Sequence, residues 1–292
     1  MEKRGCPVEN NVLDRIDGYI AKADLLPPAP AALTQLLTLL REPNADSSAI
    51  IDILAYDPSL TASVLRLSNS AFFAGRESVK DLYEAVMRLG FAQVYQLVAV
   101  VCGARSLVPS RNGGSADNRL WTHSVSVALA AELLAKDLGA EPSAAFTAGL
   151  LHDIGKLVLS LALNGTSANV AHELDGDGHS PLEIEMKLLG VNHAQIGGRL
   201  LERWKLPENL VSAVRHHHQP NSARDQCTLA ACVALGNFLA YFMGHGYNDH
   251  SLNLKARDEA LKILNLSAER LPEYMSQSRE RFKAVKALHQ IQ

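Results

Sequence analysis

Apolar positions along this chain recur mainly at spacings of three and four, and no stretch sustains an alternation of two. A period near 3.6 lines up one face of a helix, whereas a period of two would make a half-buried strand, so the pattern predicts helices throughout. Val12 to Ala23 reads as a short helix. Leu25-Leu26-Pro27-Pro28-Ala29-Pro30 reads as a rigid extended lead-in, because its prolines lack N–H donors and bias the preceding residues away from helix. Ala31 to Leu40 follows as a compact apolar helix. Asp46 and then Asp57-Pro58 are start signals, the carboxylate capping free N–H groups and the proline fitting the first helical position. They introduce the run Ile50 to Leu54 and a helix from Ser59 to Ser68. Val79 to Leu89 and Phe91 to Ser106 complete the first half.

The polar, glycine-rich run Arg111 to Asn118 predicts a linker. Beyond it, Leu120 to Leu138 is apolar on two sides: Trp121, Val125, Leu129 and Leu133 on one, Val127, Ala130, Leu134 and Leu138 on the other. Such a helix should be central and buried, and His123, lying with the second set, should point into protein. Pro142 starts a helix that ends in His152-Asp153, and Leu157 to Leu163 continues from it. Ser180-Pro181-Leu182-Glu183 is a capping box after a polar loop at Asn164 to Gly178. Helices are then expected at His193 to Trp204, from Pro207 to Arg215-His216-His217-His218, and at Cys227 to Phe242. After a loop at Gly244 to Asn253 come Lys255 to Leu264 and Pro272 to His289. The fold class is all-α, with at least twelve helices in two packed subdomains. The expected organisation is an N-terminal helix at 1–24, a helical subdomain at 25–110, a linker at 111–119, a second subdomain at 120–245 and an extension at 246–292.

Composition narrows the function classes. At 47% hydrophobic the chain can fill a sizeable core, and the low aromatic share of 5% suits Leu- and Ala-rich helices. A net charge of −3 without a strongly basic stretch argues against general nucleic-acid binding. The four cysteines form no C-x-x-C pair, so neither a zinc ribbon nor a disulfide scaffold is indicated, and Cys227 and Cys232 read as buried thiols. Met1 to Asn10 lacks a secretory apolar core, and Val94 to Val108 is short and interrupted by Gln96 and Arg105. A soluble cytoplasmic protein with no membrane association is therefore expected.

The candidate chemistry lies in Ala148-Gly149-Leu150-Leu151-His152-Asp153-Ile154-Gly155-Lys156. Adjacent residues point about 100° apart on an ideal helix, so a His-Asp pair shares a ligand only where the helix ends. Gly155 is expected to permit that turn. One reading is a plain polar helix terminus, with His152 near the negative end of the dipole. The other is a metal or acid/base site. His123, His193, His216, His217 and His218 fall on helices or helix ends of the same subdomain, and imidazoles with a carboxylate suit zinc, iron, manganese or similar ions.

His123 followed by His152-Asp153 in this context resembles the HD superfamily of metal-dependent phosphohydrolases. It is closer to its HDOD branch, a relative of the HD-GYP cyclic-dinucleotide phosphodiesterases. Leu26-Pro27-Pro28-Ala29-Pro30, Asp57-Pro58-Ser59-Leu60-Thr61, Leu65-Arg66-Leu67-Ser68-Asn69-Ser70 and Leu89-Gly90 carry the likeness in the first half. His193-Ala194-Gln195-Ile196-Gly197, Leu200-Leu201-Glu202-Arg203-Trp204-Lys205-Leu206-Pro207 and Arg215-His216-His217-His218 carry it in the second, over about residues 25–242. The resemblance implies a metal on His123, His152 and Asp153, completed by a distant Asp whose position holds Asn237, and a second metal on His193, His217 and His218. Lys156 would be a phosphate contact. The Gly-Tyr-Pro signature is absent, since His218 runs into Gln219-Pro220-Asn221-Ser222. Asn237 removes a charge and a strong donor, which weakens a binuclear centre.

Three functions follow. The first is a non-catalytic bacterial signalling module that binds a protein partner or small ligand and retains one divalent transition metal (iron, zinc, manganese or nickel). The second is an active phosphohydrolase on a nucleotide or cyclic dinucleotide. The third is an assembly surface whose histidines are core filler.

Overall fold

The computed structural model describes residues 7–22, 35–36, 39, 47–55, 58–70, 73, 79, 81–107, 115–163, 180–246 and 253–289. The proline-rich lead-in, the caps Asp46 and Asp57, most of Ala31 to Leu40 and the loop at 164–178 lie outside these residues. Among the described residues the secondary structure is helical, with no strand. In order, the helices are α1 (Pro7–Lys22), α2 (Ser47–Ala55), α3 (Pro58–Ser68), α4 (Leu82–Leu89), α5 (Phe91–Leu107), α6 (Ser115–Asp137), α7 (Pro142–Leu151), α8 (Ile154–Ala162), α9 (Pro181–Leu189), α10 (His193–Arg203), α11 (Glu208–His216), α12 (Cys227–Ala240), α13 (Leu254–Ile263) and α14 (Leu271–His289). Short 3-10 turns cover Pro220–Gln226 and Ala268–Arg270, and a π-turn covers Tyr241–His245.

Local chemistry sets several of these boundaries. Asp81 accepts the Glu84 N–H, so α4 starts at Leu82 rather than at Val79. The Glu141 carboxylate accepts from Ser143 N at 3.0 Å and Ala144 N at 2.6 Å, fixing the start of α7 beside Pro142. Capping boxes open α9, with Ser180 and Glu183, and α10, with Asn192 and Gln195. Two expectations change: α6 already begins at Ser115, so the second half of the expected 111–119 linker is helix, and Cys227 is half-buried while Cys232 is buried.

The second lobe is built around α6. Trp121, Val125, Leu129 and Leu133 on one side and Val127, Ala130 and Leu134 on the other are all buried. Two glycines let its neighbours approach to backbone contact. A Cβ on Gly149 of α7 would lie 2.8 Å from the Ala128 Cα, and one on Gly236 of α12 would lie 2.9 Å from the Val127 carbonyl oxygen. Helices α10 and α11 pack together, and α10 also packs on α8. The C-terminal segment belongs to the same body, with α13 on α12 and α14 on α6. Pro142–Ala162 and Pro220–His245 are long and apolar enough to cross a membrane, but most of each is buried inside the fold, as core helices are.

Helices α2 to α5 form the first lobe around Ile50, Leu54, Leu60, Val64, Val86 and Val98. It joins the second where α5 lies on α7 and α6. Tyr95 shares a buried hydrogen bond with Thr147, and Gln96 donates to the Glu132 carboxylate. Burial pushes the Glu132 carboxyl up, opposed by Arg281 of α14 at 3.0 Å and by Gln96.

Helix α1 crosses to the second lobe and packs on α8 and α10. Arg199 grips Asp17 through two parallel bonds of 2.9 and 3.0 Å, and Arg203 adds a third contact at 3.2 Å. The Arg199 hydrogen bond outweighs burial and holds the Asp17 carboxyl below its ordinary value. A depressed folded pKa contributes stability that is present above the unfolded value, near pH 4, and is lost as pH falls through the folded one. Since both side chains are nearly one-third exposed, Asp17→Asn is expected to cost at most about 1 kcal/mol at pH 7 and nothing near pH 2. Urea unfolding at both pH values measures it, and an equal cost at pH 2 would contradict the ion-pair origin.

Candidate metal centre

Three helix ends and one helix middle converge on Asp153. His152 is the last residue of the α7 turn, Asp153 separates α7 from α8, His193 opens α10, His217 and His218 follow α11, and His123 projects from α6. The chain bends at Asp153 itself, with φ −99° and ψ 10°. Gly155, expected to supply that turn, lies inside α8 and serves a different purpose. A Cβ there would sit 1.9 Å from the His193 carbonyl oxygen, so glycine lets α8 meet the start of α10.

His123, His152 and Asp153 form one group whose ligand atoms lie within 4.8 Å of one another, and His193, His217 and His218 form a second. His152 Nε2 is 3.3 Å and His123 Nε2 is 3.4 Å from Asp153 Oδ2. Those separations match the edge of a tetrahedron, about 3.3 Å for metal–ligand bonds of about 2.0 Å. The other oxygen, Oδ1, faces His193 Nε2 at 3.2 Å and His217 Nε2 at 3.9 Å. His218 and His193 meet through their Nε2 atoms at 2.9 Å.

The ring orientations suit ligation. His123 Nδ1 faces the His245 carbonyl at 2.9 Å, His152 Nδ1 the Gly149 carbonyl at 2.8 Å and His217 Nδ1 the Val214 carbonyl at 2.7 Å. A carbonyl only accepts, so each of these Nδ1 atoms carries the proton and leaves a bare Nε2 lone pair. His152 Nε2, His217 Nε2 and Asp153 Oδ1 are buried without any hydrogen-bond partner. His152 belongs to the first group and His217 to the second, and each such orphan would cost on the order of 1–3 kcal/mol unless a cation engages it.

Charge is arranged accordingly. Burial holds His123, His217 and His218 below the ordinary imidazole value, so they are neutral donors near pH 7. His193 is the exception: burial opposes its charge, but the Glu185 carboxylate, 2.7 Å from Nδ1, raises it to about 9. Burial would raise Asp153, yet the neighbouring His152 ring, the Lys156 ammonium and His123 hold it well below the carboxylate range.

The six expected ligand side chains therefore fall into two neighbouring groups. Lys156, expected to contact phosphate, places Nζ 2.6 Å from Asp153 Oδ2. Asn237, expected at the completing position for His123, His152 and Asp153, lines a small pocket with His217, His218, Phe238, Tyr241 and Asn253. Glu185, Ser126 and His245 are additions that the sequence did not single out: Ser126 and His245 act across more than a hundred residues, and Glu185 reads as one more charge on a polar helix.

The HDOD domain family matches residues 26–220, and the chain belongs to that family. An uncharacterized protein of Treponema pallidum (strain Nichols) is 27% identical over 237 residues, 80% of this chain and 44% of its own length. A ribonuclease Y of Thermus thermophilus is 30% identical over 145 residues, 50% of this chain and 20% of its own length. The chain thus spans less than half the length of these curated relatives. Among solved structures, a proposed phosphohydrolase from Shewanella amazonensis SB2B superposes with a TM-score of 0.71 at 28% identity, covering 93% of this chain and 97% of its own. A proposed signal transduction protein from Marinobacter aquaeolei VT8 gives 0.75 at 26%, covering 94% and 64%.

Proposed function

We propose that this HDOD chain is a regulatory module in bacterial signal transduction that holds one divalent transition metal on His123, His152 and Asp153 and is not a phosphohydrolase. Its likeness to a proposed signal transduction protein supports the regulatory role. The observation that carries the metal is the buried, unpartnered His152 Nε2, which meets His123 Nε2 around Asp153 Oδ2 with both ring protons facing away. Iron, zinc, manganese and nickel all suit two imidazoles and a carboxylate. The metal would supply a charged cross-link between α6 and the α7–α8 turn.

Catalysis is disfavoured by charge. Two dications need several carboxylates, and among the described residues those in contact with the six ligand side chains are Asp153 and Glu185, the latter reaching only His193 Nδ1 and N–H. The neutral Asn237 amide adds none. Elemental analysis of untagged protein is expected to find about one metal per chain, lost in His152→Ala. Equal metal in both proteins would sink the proposal.

One observation favours a phosphohydrolase instead: Asp153 faces both groups, one oxygen to each, as a bridging carboxylate would. That reading requires turnover of nucleotides or cyclic dinucleotides that disappears in Asp153→Ala. On the regulatory reading, wild type shows none across a panel with added metals, and Asn237→Asp alone gains it if the centre descends from an enzyme.

A further inference from the structure

The rings around Asp153 are not fixed in the same way. His152 and His217 donate Nδ1–H to carbonyls three residues earlier, at Gly149 and Val214, so their orientation is built into their own helix ends. His123 lies in the middle of α6, where the neighbouring carbonyls are used by the helix ladder. Its acceptor is the carbonyl of His245, 122 residues further on.

His245 closes the π-turn that follows α12, a rare geometry concentrated at functional positions, and Gly244 precedes it at φ +83°. Two contacts keep it in place. Ser126, three residues after His123 on α6, donates its hydroxyl to the Thr122 carbonyl at 2.8 Å. Its oxygen is then left to accept from His245 Nδ1 at 2.6 Å. On the other side the buried Phe282 of α14 packs on the His245 ring, with centroids 4.3 Å apart. Helix α14 further reaches the Phe242 carbonyl through Arg279 at 3.4 Å and Glu132 of α6 through Arg281 at 3.0 Å.

We infer that the C-terminal helix is a positioning device for the metal centre: Phe282 and Ser126 hold His245, whose carbonyl holds His123 with its bare Nε2 turned to Asp153. The inference rests on the metal reading above and extends it to a segment beyond the matched family residues 26–220. His152 and Asp153 are in place whether or not α14 is docked. The third ligand of that group is not. With α14 lifted, His245 loses its packing partner, its carbonyl leaves, and His123 is free to change tautomer or rotate. The second group, whose His217 is fixed by its own helix and whose His193 is fixed by Glu185, keeps its arrangement. Linkage makes the effect reciprocal, so metal on the first group holds α14 down and anything that lifts α14 releases metal.

The test uses the full chain and two readouts. Nitrogen-15 histidine NMR of the metal-free protein, with His123 assigned from the His123→Gln variant, is expected to show the Nδ1–H tautomer in wild type and a mixture in Phe282→Ala. Phe282→Tyr, which keeps the ring, restores the wild-type signal. Cobalt titration followed by its visible bands is expected to weaken about 10–100-fold at the first group in Phe282→Ala, the usual size of a lost ligand-orienting contact, and to recover in Phe282→Tyr. Ser126→Ala, which leaves the α14 packing intact, should reproduce both effects and covers the case in which Phe282→Ala fails to fold. Folded variants with an unchanged tautomer and unchanged affinity overturn the inference. If no cobalt binds even to wild type, the metal reading falls, while the tautomer comparison still decides whether α14 positions His123.

Discussion

Gly155→Ala is expected to destabilise the protein by about 3 kcal/mol or more and to displace His193 from the centre. The added Cβ would lie 1.9 Å from the His193 carbonyl oxygen, 2.7 Å from its carbon and 2.9 Å from Gly197 N. A carbon and an oxygen rest no closer than about 3.3 Å, and every atom in the way is backbone, so α8 and α10 must part by more than an ångström. The gain of about 1 kcal/mol from alanine's better helix propensity is too small to offset this. Since His193 is the first residue of α10, the movement breaks its bonds to Glu185 and draws Nε2 away from Asp153. Gly18→Ala gives the opposite sign. It sits in α1 with no atom within 4 Å of the new Cβ, so a gain of about 0.5–1 kcal/mol is expected. Urea midpoints of the two variants should move in opposite directions. A Gly155→Ala protein as stable as wild type would mean that α8 and α10 do not meet as described.

The role of Gly155 marks where sequence reasoning reached its limit. A glycine two residues after His-Asp suggests a turn, because backbone freedom is the property visible in a sequence. Close approach is visible only when the partner helix is known, and the partner here begins 38 residues later. The helices themselves were legible, since apolar period and caps are local: Glu183 falls three residues after Ser180 and closes the capping box. Helix α6 was legible as the centre of the fold because two apolar sides demand two partners. Its start was not, because Ser115 to Arg119 is polar and reads as linker although it continues the helix.

The histidines were legible as candidates through their number and the likeness to HD proteins, but not their assignment to two groups around the two oxygens of one carboxylate. Nor was the hold on their tautomers. Gly149 and Val214 contribute as carbonyl acceptors, and a backbone carbonyl has no sequence signature. Glu185 sits one turn into α9 beside a glutamate already used for capping, and nothing in its spacing from His193 distinguishes it from a solvated surface charge.

Asp153 is where the metal-free fold and the metal-bound state depend on the same atoms. Its carboxylate is buried, faces His123, His152, His193 and His217, and pairs with Lys156 at 2.6 Å. Asp153→Asn leaves the Lys156 ammonium and the charged His193 without this counter-ion. Removing one partner of a buried pair costs about 3–5 kcal/mol. The lower end is expected, because Lys156 is 14% exposed and can turn toward water. The acid limb provides the sign. With its folded pKa held well below 3.8, Asp153 contributes stability above the unfolded value that is lost as pH falls through the folded one, so the variant should unfold with a flatter acid dependence than wild type. Lys156→Gln should recover part of the loss, since the charge that needed compensation is gone, with a coupling of about 1 kcal/mol or more in the double-mutant cycle. Metal separates this from a general packing defect. Zinc or manganese at a hundred times its dissociation constant should stabilise wild type by about 2.7 kcal/mol and leave Asp153→Asn unchanged. Thermal unfolding with and without metal reads both effects. An equal metal-induced shift in the two proteins would remove Asp153 from the centre and leave Lys156 as its true partner.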